Sequence, residues 1–126
     1  MQVKIDTREK FHAITILEPN IAANMTADLD ESLLPILQKE AKNVVLILKD
    51  TQNIEDAAAE RLVKIQEAFY DHGVSFVICE LTPDVEKSLE SSGLLELMNV
   101  TPTESEAADI VQMEEVEREL LNDDDL

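Results

Sequence analysis

Val44 to Leu48 form an unbroken aliphatic run, "VVLIL", in a chain whose residues are 30% charged. A strand with one face in water interrupts such a run at every second position. This one does not, so it predicts a strand buried on both faces, as at the centre of a parallel sheet. "SFVICEL", beginning at Ser75, predicts a second buried strand. Between the two, Ala58, Leu62, Ile65 and Phe69 keep a helical spacing. A helix from about Glu55 to Tyr70, closed by Gly73, therefore joins them.

The flanking segments extend this pattern. "MQVKID" alternates Val3 and Ile5 with polar neighbours, and "HAITIL" (His12 to Leu17) repeats the alternation with Ile14 and Ile16, predicting two further strands. From Thr26, read as an N-cap, Leu29, Leu33, Ile36 and Leu37 mark a helix. Pro35 within it predicts a kink or a division into two short pieces. "TPDVEKSLESSGL" starts a helix with Thr82 as cap and Pro83 at the first helical position, and Gly93 ends it. "LELMNV" can supply a short last strand. The capping box Thr103-x-x-Glu106 opens a final helix carrying Ile110, Met113, Val116 and Leu120. That stripe is read as covering the domain's own sheet, with self-association as the alternative. The fold class is α/β: a four- to five-stranded mixed, mostly parallel sheet covered by about four helices. The expected division is a domain over 1–112 and an acidic helix end and tail over 113–126, with the terminal "NDDDL" solvated and mobile.

The 126 residues suit one domain, and the net charge of −18 narrows the partners. Residues 104–126 hold ten acids against Arg118 alone, half of the excess. A polyanionic surface repels nucleic-acid backbones and anionic membranes, so a basic protein partner is the natural complement. No apolar stretch is long enough to insert in a membrane, and no signal peptide is evident. The single cysteine fits a reducing compartment, and a cytoplasmic protein is expected. Only two glycines occur, so no glycine-rich loop cradles a nucleotide, and no cofactor is expected. Cys79 sits in an apolar strand, where an inert buried thiol is ordinary. His12 and His72 lack suitably spaced second ligands, so no metal is expected. Asp50 after the central strand suggests a phospho-accepting aspartate, but Asp6 has no acidic neighbour to complete such a site. Ser91 and Ser92 read as helix-ending residues. No catalytic constellation appears, and an enzyme is not expected.

From Val44 to Leu94 the text "VVLILKDTQNIEDAAAERL" and "FVICELTPDVEKSLESSGLLELM" resembles the STAS domain, the fold of bacterial anti-sigma factor antagonists. That family reads V-V-L-D-L-S, then I-D-S-S-G-L at a helix start, then S-P-x-V-x-x-x-L-x-x-S-G-L. The "TPDVEKSLESSGL" segment is the most specific part of the match, and the element order agrees to about residue 112. The resemblance implies a non-catalytic protein-protein interaction module that regulates transcription by partner binding. The expected partner is an anti-sigma factor or a related protein of the serine-kinase fold, and a homodimer is a further option. The alternatives are a STAS subunit of a cytoplasmic transporter complex, as in lipid transport, and a scaffold.

The match places the family's regulatory serine on Asp56, the aspartate before it on Glu55, the second serine on Ala57 and the glycine on Ala58. The phosphosite-equivalent position thus has no hydroxyl. An anion at a helix start is stabilised by about 0.3–1 kcal/mol, and Asp56 supplies permanently part of what a phosphate would bring. The implied docking edge comprises Glu55, Asp56, Ala57 and Ala58, with Asn20 and Asn24 from the preceding loop "EPNIAANMTAD". The family's central-strand aspartate is Ile47 here, a plain core residue.

Overall fold

The apolar run becomes the middle of the molecule. A computed structural model describes residues 1–39 and 42–124, with side chains as far as 121. Its strands are β1 (Val3–Thr7), β2 (Phe11–Ile16), β3 (Asn20–Ile21), β4 (Asn43–Ile47), β5 (Asn53–Ile54), β6 (Phe76–Cys79) and β7 (Val100–Thr101). The helices are α1 (Thr26–Lys39), α2 (Asp56–Asp71), α3 (Pro83–Ser91) and α4 (Glu104–Asp124). Short 3-10 helices occupy Ala23–Met25 and Leu95–Leu97. The main sheet runs β1-β2-β4-β6-β7, with β1 antiparallel and the rest parallel. β3 and β5 form a separate parallel pair that the sequence pattern did not suggest.

Every residue of β4 is buried. Val44 and Leu46 join a core with Leu29 and Leu33 of α1, with Ala58, Leu62, Ile65 and Phe69 of α2, and with Val85 and Leu89 of α3. Val45 and Ile47 face the other way, against Ala107 and Val111 of α4. Three helices thus cover one face and α4 alone covers the other. Gly73 and Gly93 end α2 and α3 with φ of 73° and 78°, a backbone region costly for any residue with a Cβ. At the sheet edge β1 leaves Ile5 exposed, so its alternation marks a strand but not a buried face.

α1 departs from expectation twice. Thr26 is not an extended N-cap but already helical, because the 3-10 turn Ala23–Met25 feeds straight into α1 and Ala22 supplies the extended entry residue. Pro35 does not divide the helix, which continues to Lys39. Leu29 and Leu33 are fully buried before the proline, and Leu34 just before it and Ile36 and Leu37 after it pack on the same core. That burial outweighs one lost backbone bond, whose carbonyl belongs to the exposed Glu31.

α4 is turned differently from the stripe read in the sequence. Ala107 and Val111 meet the sheet and Ile110 is half-buried, but Met113, Val116 and Leu120 are 51%, 48% and 59% exposed. Polar residues hold the second half of the helix instead. The Tyr70 hydroxyl donates to Glu114 at 2.8 Å, and Asn43 Nδ2 donates to Glu115 at 2.7 Å. Arg118 donates to Ser75 Oγ at 3.2 Å and to Asn43 Oδ1 at 3.3 Å. Glu114 and Arg118, four residues apart, continue the face begun by Ala107 and Val111, so the seam turns from apolar to charged along one side. Buried Asn43 is its hub, accepting also from Ser75 N at 2.7 Å and donating to Lys10 O at 3.0 Å. α4 runs on to Asp124, so the expected boundary at 112/113 falls inside one helix; of the terminal "NDDDL", residues 125–126 lie outside the described residues.

Because Pro35 occupies a helix interior, Pro35→Ala should raise stability by about 1–3 kcal/mol. Urea unfolding should show a higher midpoint with an unchanged slope.

Candidate partner-binding edge

Parallel pairing of β2, β4 and β6 brings the loops that follow them to one edge of the sheet. The β3–β5 pair clamps two of those loops together. Its period of two turns Ile21 and Ile54 into the core and Asn20 and Asn53 outward. Asn53 Nδ2 donates to Asn20 Oδ1 at 2.6 Å. Pro19 O accepts from the amides of Gln52 and Asn53, and Glu55 N donates to Ile21 O at 2.9 Å.

The last of these bonds fixes where α2 begins. Glu55 is its extended N-cap residue (φ −79°, ψ 152°), and its carbonyl accepts from Ala59 N at 3.0 Å. The Glu55 side chain makes no capping bond. Glu55, Asp56 and Ala57 are exposed together at the helix start, while Ala58 and Ala59 are buried. Ala58 is therefore corrected from a docking residue to a core residue. It belongs to the helical stripe with Leu62, Ile65 and Phe69, and that stripe faces the sheet. Asn24 is exposed in the 3-10 helix that packs beside α2, on the loop continuing from β3. Asn20, though exposed, already shares its carboxamide with Asn53. Asp50 follows β4 at this edge, whereas Asp6 pairs in register with Ala13 toward the start of β2. The two acids are not brought together as a phospho-accepting cluster would require.

The tie from the second loop to the third escaped sequence reading. Thr51 is 0% exposed, and its hydroxyl donates to Glu18 O at 2.9 Å. The Thr82 hydroxyl donates to Thr51 O at 2.9 Å, so Thr82 is an N-cap of α3 by backbone only. Glu18, Thr51 and Thr82 thus join the ends of β2, β4 and β6 in one chain of bonds. Both bonds run to main-chain carbonyls, which leave no mark in a sequence. Glu80, just beyond β6, holds φ at 57°, an uncommon value for a residue with a side chain.

Burial, then Glu80 and Glu104, push the Cys79 thiol up to about 12, so it stays protonated and unreactive. His12 Nδ1 and Thr7 Oγ1 lie 3.0 Å apart, and His72 Nδ1 lies 2.8 Å from Ala68 O. Among the described residues no group of three or more His, Cys, Asp or Glu is placed to hold a metal ion. No described helix is long and apolar enough to cross a membrane.

The family model for the STAS domain matches residues 3–107. The chain belongs to the STAS family. Solved STAS structures share the fold at low identity. An anti-sigma-factor antagonist (STAS) domain protein from Planctomyces limnophilus superposes with a TM-score of 0.73 at 16% identity, covering 87% of this chain and 97% of that one. A variant of RsbS from Moorella thermoacetica gives 0.72 at 19% identity, covering 89% and 96%. A murine anion transporter of Solute Carrier family 26 gives 0.67 at 12% identity, covering 82% of this chain and 18% of the transporter. No curated protein matches by sequence.

Two outcomes follow for this STAS domain. Thr51→Val keeps the shape but strands Glu18 O, and should lower stability by about 1–3 kcal/mol in urea unfolding. Cys79 should resist a thiol reagent at pH 8 in the folded protein and react fully once denatured.

Proposed function

We propose that this STAS domain is a non-catalytic protein-protein interaction module. It docks an anti-sigma factor, or a related protein of the serine-kinase fold, on the edge built by the loops after β2 and β4, and so regulates transcription by partner binding. The observation that carries the reading is the joint exposure of Glu55 and Asp56 at a helix start held by main-chain bonds. The family resemblance puts a phosphorylatable serine at Asp56, where this chain has a carboxylate.

The electrostatics give that replacement a direction. The first turn of α2 offers unpaired amides and a partial positive charge, which favour an anion. A phosphoserine would bring about −1.5 to −2 charges that a kinase and a phosphatase could add and remove. Asp56 brings one that is always present, and Glu55 sets another beside it. A partner docking here must offer basic groups, and its binding is not switched by modification of this position. The same edge would serve a transporter subunit, a second reading favoured by the match to the murine anion transporter.

Calorimetry with the anti-sigma kinases of the same organism tests the first reading. One of them should bind, and Glu55→Ala with Asp56→Ala should weaken that binding at least about tenfold. Incubation with that kinase and ATP should leave the native chain unphosphorylated, whereas Asp56→Ser should acquire a phosphate. Binding that survives the double substitution unchanged would move the docking site elsewhere.

A further inference from the structure

The outward face of α4 is unaccounted for by an edge on the far side of the fold. Met113, Val116 and Leu120 lie at i, i+3 and i+7, each exposed over about half of its surface, in one stripe along the helix. Beside the stripe an open groove of about 350 Å³ separates α4 from β7, lined by Met98, Val100, Ile110, Met113, Glu114 and Glu117. β7 is the last strand of the sheet, so apolar side chains lead from the stripe to an unpaired strand edge.

The charges around this face choose its occupant. Glu117 and Glu119 flank the stripe and Asp109 heads it one turn before Met113, all three exposed, as is Glu106 one turn earlier still. Among the described residues none of these four has an ion-pair partner. The cations that reach α4 are spent elsewhere: Arg8 on Glu104, Lys10 on Glu115, and Arg118 inward on Ser75 and Asn43. A second copy of the chain would set like charges against like, and an anionic membrane would do the same. A helix with an apolar stripe between lysines or arginines meets both features at once.

We propose that the outer face of α4 is a second docking surface, which binds a basic amphipathic helical segment of a protein partner. Leucine-type side chains of that segment sit on Met113, Val116 and Leu120, and its cations meet Asp109, Glu117 and Glu119. Because α4 covers the opposite face of the sheet from α2, this surface and the edge at Glu55 and Asp56 can be occupied together.

A synthetic helical peptide with leucines at i, i+3 and i+7 flanked by lysines is the probe, titrated against the full chain by fluorescence anisotropy. It should bind, and more weakly as salt is raised. Met113→Ser, Val116→Ser and Leu120→Ser together should weaken it at least about tenfold, with the unfolding midpoint nearly unchanged because these side chains are exposed. Glu55→Ala with Asp56→Ala should leave peptide affinity unchanged, which separates this surface from the proposed function. Equal binding of a scrambled peptide of the same composition, or an affinity indifferent to the three serines, would overturn the proposal. So would self-association of the native chain that the three serines abolish, since the occupant would then be a second copy.

Discussion

Burying both faces of β4 is the constraint from which the rest of the molecule follows. A strand apolar on each side needs cover on each side, and a parallel neighbour on each edge to satisfy its backbone. β2 and β6 provide the neighbours, α1, α2 and α3 the cover on one face, and α4 the cover on the other. The parallel arrangement sends every crossover helix back from the same edge. The loops after β2, β4 and β6 therefore collect there, and a shared set of main-chain bonds makes a surface of them.

The order and type of the main elements could be read from residues alone because apolar spacing and punctuation agreed. The buried strands, the Ala58 to Phe69 stripe, Gly73 and Gly93 all answer to local physics. Three features did not. Pro35 is a breaker by itself, but the apolar residues on either side of it are anchored in one core, and tertiary burial won. β3 and β5 are two residues each, too short for any periodic signal, and depend on a partner more than thirty residues away. The facing of α4 was misjudged because its inner side changes from alanine and valine to glutamate and arginine, which a hydrophobic stripe cannot register.

Much the same holds for the candidate site. That Glu55 and Asp56 stand at a helix start beside the central strand was legible, since a buried strand and a helical stripe bracket them closely. Their common exposure, and the burial of Ala58 two residues on, required the helix to be placed. Asn20 was read as part of the docking edge, and its pairing with Asn53 depended on the β3–β5 contact. Thr51 carries no periodic or motif signal and is fully enclosed.

The mixed seam under α4 has a dynamic consequence. Among the described side chains of this helix only Ala107 and Val111 are wholly buried, and its far half hangs on polar contacts gathered at Asn43. Polar contacts can be exchanged for water at less cost than buried apolar ones, so the far half of α4 is held less firmly than its first two turns. Its departure would uncover Val45, Ile47, Val77 and the thiol of Cys79 at a stroke. A thiol closed in the folded chain thus lies one helix away from solvent, and any slow capture of Cys79 under native conditions is a measure of how seldom this face is uncovered.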